Sequence, residues 1–176
     1  VIDEAVIDVI TGGEATSHFR YSAFGELVET VDATGVTVSN RYDLTGRLVS
    51  QSQGGVAKTF KYDHVGNLLF ETGFNGRRTE YQYDTLNRLT YSKQPEGGER
   101  LVAYDAVGNV LELREQNGNL EYKTYDNNDR VTSVMSREGF ITLYRYDSVG
   151  NEIARLAYQN RYALTADGQI PIPQSG

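Results

Sequence analysis

Six aspartates recur at an almost fixed interval along this 176-residue chain: Asp43, Asp63, Asp84, Asp105, Asp126 and Asp147. Carboxylates repeated in this way could work as acid–base pairs or as a ladder of ligands for a divalent cation. Either chemistry needs two or more of them to converge on one point. If the aspartates mark successive hairpins of a meander, equivalent positions lie two strand spacings apart, roughly 10 Å, too far to share an ion. His18 and His64 have no partner at ligand or triad spacing, and there is no cysteine to act as nucleophile or thiolate ligand. No Gly-x-Ser-x-Gly, phosphate-loop or zinc pattern is present. The sequence therefore offers no catalytic residue, no metal site and no cofactor site, and the chain reads as a non-enzyme.

What surrounds each aspartate recurs with it. A tyrosine precedes all six, at Tyr42, Tyr62, Tyr83, Tyr104, Tyr125 and Tyr146, and Tyr21 heads a seventh copy in which Ser22 replaces Asp. The steps between these tyrosines are 21, 20, 21, 21, 21 and 21 residues. Four residues after each tyrosine stand Gly25, Gly46, Gly66, Asn87, Gly108, Asp129 and Gly150. Six after stand Leu27, Leu48, Leu68, Leu89, Val110, Val131 and the misfit Glu152. Asp favours the first position of a type I turn, where its side chain accepts from N–H groups ahead. The residue three further on closes the hairpin with a bulge in the left-handed region. Glycine enters that region freely, and Asn and Asp are the best substitutes. The replacements Asn87 and Asp129 follow that backbone demand, so the aspartates are expected to be turn residues and the tyrosines sheet-face residues packed against cross-strand neighbours.

A second turn signal follows each tyrosine by about fourteen residues, as in Gly54-Gly55, Asn75-Gly76, Gly97-Gly98, Asn117-Gly118 and Glu138-Gly139. Between the signals the pattern has period two: Tyr81 and Tyr83 share a face and Gln82 takes the other. This predicts two strands of about 5 to 8 residues per repeat and no helix. Pro95 falls in a turn, and Pro171 and Pro173 lie in the tail, so no proline interrupts a strand. The fold class is all-β: an antiparallel hairpin meander of about seven 21-residue repeats. Roughly fourteen strands exceed what an open twisted sheet sustains, which predicts a curved ribbon or part of a hollow shell.

Three segments follow from the phase of the repeat. Residues 1–20 form a partial repeat with Gly12-Gly13 at its second-turn place, residues 21–160 the array, and residues 161–176 a tail or end cap. The chain opens on Val1 in mid-phase, which suggests a piece of a longer repeat protein whose edge strands tend to associate. The net charge of −7, with scattered basic residues, argues against nucleic acid, and no apolar run is long enough for a membrane helix.

Five residues after each tyrosine the chain reads Glu26, Arg47, Asn67, Arg88, Asn109, Arg130, Asn151. The strict alternation of Arg and Asn suggests duplication of a two-repeat unit, with each Arg bridging toward a neighbouring Asp at the rim.

The phrase Gly55-Val-Ala-Lys-Thr-Phe60-Lys-Tyr62-Asp63-His-Val-Gly66-Asn67-Leu68 resembles the YD-repeat, or Rhs-repeat, pattern. Gly76 to Leu89 fits with Asn87 in place of Gly, and Gly139 to Asn151 fits up to Glu152. The resemblance covers roughly residues 12–160. It implies a sheet ribbon wound into a hollow shell of the kind found in bacterial polymorphic toxins, insecticidal toxin complexes and teneurins. A secreted or cell-surface location is implied, with the rest of the parent chain and an enclosed C-terminal polypeptide as partners. The self-cleaving Asp-Pro-x-Gly signature of bacterial members is missing, so no protease activity is carried over. The implied function is a structural segment of a shell that encapsulates or displays an attached toxin. The alternative is an adhesion module that binds a glycan or a protein receptor.

Overall fold

The computed structural model describes residues 9–11 and 15–171. The expected Gly12-Gly13 turn and Pro173 lie outside the described residues. The described chain is all strand and turn: β1 (Val9–Thr11), β2 (Ala15–Tyr21), β3 (Leu27–Val31), β4 (Thr37–Tyr42), β5 (Leu48–Gln53), β6 (Val56–Tyr62), β7 (Leu68–Thr72), β8 (Arg78–Tyr83), β9 (Leu89–Lys93), β10 (Glu99–Tyr104), β11 (Val110–Arg114), β12 (Leu120–Tyr125), β13 (Val131–Ser136), β14 (Phe140–Tyr146) and β15 (Glu152–Arg161).

The chain divides into two compact units, residues 1–81 and 82–176, with the division inside β8. In each unit the strand order is the chain order and every pair is antiparallel, so each is an uninterrupted meander. Consecutive strands joined by short Gly- and Asn-containing turns can reach only their sequence neighbours, which is why no crossover occurs.

The register repeats as faithfully as the sequence. Within a repeat the ladder runs to the tyrosine and breaks there by one residue, at Arg41/Tyr42, Lys61/Tyr62, Ala103/Tyr104, Thr124/Tyr125 and Arg145/Tyr146. Arg41 faces Ser50 but Tyr42 faces Leu48, leaving Val49 as the extra residue of a bulge. Between repeats the ladder stops short. It ends at Glu29↔Ser39, Ser50↔Thr59, Leu101↔Tyr91, Glu112↔Tyr122 and Ser133↔Leu143. The first two residues of β3, β5, β9, β11 and β13 are thus left without a backbone partner on that side.

The described residues contain no helix, and most strand side chains are half-buried. The buried apolar side chains among them are Val102, Met135 and Ile141, all in the second unit, and only Ile141, at 0% exposure, is fully buried. β15 differs from its predecessors: it runs ten residues, longer than the expected 5 to 8. Its pairing with β14 reaches from Tyr146↔Glu152 to Phe140↔Arg161 because no second turn interrupts it before Arg161.

Candidate functional site

The repeated Asp residues each sit at the head of a closed turn. The Asp N–H donates to the carbonyl four residues ahead, at 2.9 Å for Asp43, Asp63, Asp105, Asp126 and Asp147 and 3.0 Å for Asp84. The residue three ahead has positive φ in every case: Gly46, Gly66, Asn87, Gly108, Asp129 and Gly150. Ser22 heads its turn with its hydroxyl, which accepts from Phe24 N and Glu26 N at 3.2 Å each. The carboxylates are thus occupied by their own turns. Among the described residues no group of three or more His, Asp and Glu could hold a metal ion. His64 is exposed on a turn tip.

Two kinds of turn alternate. In the arginine turns, Asp43, Asp84 and Asp126 accept from Arg47, Arg88 and Arg130 Nε at 2.7 Å each. In the asparagine turns, Asp63, Asp105 and Asp147 accept from Asn67, Asn109 and Asn151 Nδ2 at 2.9, 3.0 and 2.9 Å. Their backbones differ too. The left-handed residue has φ 79°, 61° and 59° in the arginine turns (Gly46, Asn87, Asp129), but 106°, 111° and 100° in the asparagine turns (Gly66, Gly108, Gly150). The first range suits Asn and Asp, whereas the second lies outside it and suits glycine.

The cause is the neighbouring arginine. Arg47 Nη1 donates to the Asp63 carbonyl at 3.1 Å, Arg88 Nη1 to Asp105 at 2.8 Å, and Arg130 Nη1 to Asp147 at 3.3 Å. Each of these carbonyls would otherwise close its own turn. The Gly66 N–H stands 3.4 Å from the Asp63 carbonyl but 2.8 Å from the carboxylate Oδ1. Gly108 likewise donates to Asp105 Oδ1 at 2.8 Å. In the Asp63 and Asp105 turns the guanidinium draws the carbonyl away, the glycine N–H turns to the carboxylate, and φ opens; in the Asp147 turn, where the arginine bond is longest, Gly150 N–H keeps the carbonyl at 3.2 Å. The same guanidinium lies over the next repeat's ring, 4.9 Å from Tyr62, 4.6 Å from Tyr104 and 4.7 Å from Tyr146. The expected bridge to a neighbouring Asp therefore ends on its carbonyl, while the carboxylate partner is the arginine's own turn Asp.

The repeated tyrosines are half-buried. The hydroxyls of Tyr42, Tyr62, Tyr104, Tyr125 and Tyr146 donate to the carbonyls of Leu27, Leu48, Leu89, Val110 and Val131 at 2.9–3.0 Å. These acceptors are the first residues of the strands whose ladder stops short, so the phenol supplies the donor the backbone does not. The rings at 62, 104 and 146 meet guanidinium groups of the preceding repeat. Tyr62→Phe is expected to cost about 0.5–1.5 kcal/mol. A lowered urea midpoint with an unchanged slope will show it.

The turn hydrogen bonds hold the aspartates below the usual carboxylate range. The Arg88 backbone N–H does this most for Asp84, the Arg130 side chain for Asp126 and the Asn151 side chain for Asp147. A folded-state value below the unfolded one, about 3.9, stabilises the fold above that pH. This contribution is lost as pH falls through the depressed folded values. Melting followed by circular dichroism is expected to hold from neutrality to about pH 4 and to fall below it. A melting temperature unchanged down to about pH 2 would contradict this.

The tail carries a signal the sequence reading passed over. Thr165 N–H donates to Gln169 O at 2.9 Å, Gly168 N–H to Thr165 O at 2.8 Å, and the Thr165 hydroxyl accepts from Gln169 N at 3.0 Å. Gly168 has φ 78°. Leu164-Thr165-x-x-Gly168-Gln169-Ile170 thus parallels Tyr-Asp-x-x-Gly-Asn-Leu, an eighth turn with Thr for Asp. It arrives three residues early, which hid it from the 21-residue count. Tyr162 N–H ties the tail to the Gly139 carbonyl at 2.8 Å. Leu164 and Ile170 then line a groove with Leu111, Tyr122 and Tyr125. Asp105 and Asp126 also line it, but their carboxylates are turned into their own turns.

Comparison with known proteins gives one consistent result. A family model described as Teneurin YD-shell matches residues 16–166. Over 72 residues the chain is 43% identical to double-stranded DNA deaminase toxin A of Burkholderia cenocepacia and 38% identical to toxin protein Tse5 of Pseudomonas aeruginosa. Each match takes in 40% of this chain, which spans only 5% and 6% of those two proteins. Among solved structures, the fold is similar to the Photorhabdus luminescens Tc holotoxin pore, with TM-score 0.57, 20% identity and coverage of 88% of this chain and 10% of that one. It is also similar to TcdB2-TccC3 without its hypervariable C-terminal region, with TM-score 0.59, 22% identity and coverage of 90% and 11%.

Proposed function

Because the chain belongs to the teneurin YD-shell family, we propose that it is a wall segment of a shell that encloses a C-terminal polypeptide of its parent protein, a toxin in the bacterial case. The observation that carries this reading is the family match over residues 16–166, together with two relatives that are both toxins. The geometry supports it. Carboxylates are committed to closing their own turns, and guanidinium groups and phenols to holding one repeat against the next, which is what a wall requires. The turn tips add to this: Leu44, Val107 and Val149 are 107%, 75% and 82% exposed. Apolar residues exposed at turn tips suit burial against further chain. The partners on this reading are the remaining windings of the parent chain and the enclosed polypeptide, and the assembly acts outside the cell that makes it. Among the described residues no helix is long and apolar enough to cross a membrane.

Limited proteolysis of the full-length parent protein tests the proposal. The C-terminal polypeptide is expected to survive protease while joined to an intact array and to be degraded once the array is unfolded by urea. Digestion of the attached polypeptide as rapid as that of the isolated polypeptide would overturn it.

A further inference from the structure

The second row of turns contains two Asn-Gly pairs, Asn75-Gly76 and Asn117-Gly118, that a wall function leaves unused. Both asparagines are exposed and precede a glycine at φ 75° and 81°. The Asn75 Oδ1 accepts from Arg77 N at 3.0 Å, and the Asn117 Oδ1 from Asn119 N at 2.8 Å. A side chain bonded to the N–H two residues ahead folds over the intervening peptide. The bond polarises the side-chain carbonyl, which makes Cγ a better electrophile at both sites. Glycine adds no side chain to obstruct the approach.

We propose that Asn75 is a site of spontaneous deamidation through a cyclic imide, and that Asn117 is protected by Arg137. Solvent base takes the Gly76 N–H proton, and the nitrogen attacks Asn75 Cγ. The new C–N bond closes a five-membered ring, and the side-chain nitrogen takes a proton from solvent and leaves as ammonia as its bond to Cγ breaks. Water then adds to one of the two imide carbonyls, giving aspartate or an isoaspartyl linkage that carries the chain through the side-chain methylene. No cofactor or oxidant is consumed. The isoaspartyl form lengthens the backbone inside the β7–β8 turn, where Gly76 N–H now donates to Gly73 O at 2.9 Å.

Two neighbourhoods set the order of reaction. Ring closure requires the Asn–Gly peptide to rotate out of the turn, breaking the glycine N–H bond to the carbonyl three residues back, which is 2.9 Å at both Gly76 and Gly118. Around Gly76 a Cβ would meet nothing within 4 Å. At Gly118 the carbonyl accepts from Arg137 Nη1 at 2.9 Å, and that nitrogen stands 2.8 Å from where a Cβ would be. The guanidinium therefore pins the Gly118–Asn119 peptide, so that Gly118 cannot turn along with the Asn117–Gly118 peptide whose nitrogen must attack.

The test is peptide mapping by mass spectrometry, with enzymatic labelling of isoaspartate, on the intact chain aged in mildly alkaline buffer. The Asn75 peptide is expected to convert first. Arg137→Ala is expected to speed conversion at Asn117 roughly two- to tenfold, the factor set by one exposed hydrogen bond, and to leave Asn75 unaffected. A urea-unfolded sample supplies the unrestrained rate for both peptides. The proposal fails if Asn75 stays intact while the unfolded chain converts, if Asn117 reacts as fast as Asn75, or if Arg137→Ala changes neither rate.

Discussion

Ile141→Ala is expected to lower stability by about 2–5 kcal/mol, the largest loss from any single side-chain truncation among the described residues. Ile141 has 0% exposure and lies opposite Met135, itself 4% exposed, where β13 pairs with β14. Most other strand residues keep one side in solvent, so removing their methyl groups leaves little void. At Ile141 the lost groups leave a cavity that strands held by two ladders cannot close. Phe140→Ala, one residue away and 40% exposed, is the natural comparison and is expected to cost much less. Urea unfolding of the two variants reads the difference. Should Ile141→Ala prevent folding, Ile141→Val, expected at about 0.5–1.5 kcal/mol, keeps the comparison measurable.

The second large effect separates the two kinds of turn. Gly108→Asn is expected to cost about 1–3 kcal/mol, whereas Asn87→Gly should change stability by less than about 1 kcal/mol. Both positions lie three residues after a turn aspartate, and a sequence pattern treats them alike. Their φ values are 111° and 61°. Asparagine settles at the second and is strained at the first. Because Arg88 opens the Asp105 turn by drawing off its carbonyl, the penalty should depend on that arginine. In an Arg88→Ala background, Gly108→Asn is expected to cost measurably less than in the parent chain. A double-mutant cycle of urea midpoints gives the coupling directly. Additive effects would show that the arginine does not set the turn.

The 21-residue spacing of Tyr-Asp was enough to read an all-β hairpin meander, because glycine and asparagine at fixed intervals leave a chain few other choices. The Arg/Asn alternation was equally visible in the letters, yet its meaning was not. That meaning depends on which carbonyl a guanidinium meets after the strands are laid side by side. The tyrosine hydroxyls were hidden for a related reason. Their acceptors exist only because the ladder between repeats ends two residues early, a property of paired strands that a single strand's pattern does not contain. The eighth turn at Thr165 escaped because it keeps the turn chemistry and breaks the count. The division of the chain within β8 has no mark in the sequence at all, since Tyr81-Gln82-Tyr83 continues the pattern unchanged.

The side-chain links between repeats point in opposite directions along the chain. Tyr62 reaches back to Leu48, whereas Arg47 reaches ahead to Asp63. Synthesis on a ribosome proceeds from the N-terminus, so an emerging repeat finds its tyrosine acceptor already folded and can dock at once. The arginine of the repeat before it is then satisfied by the newcomer. The array can therefore elongate one hairpin at a time behind the ribosome, with a waiting guanidinium at every second step to capture what comes next.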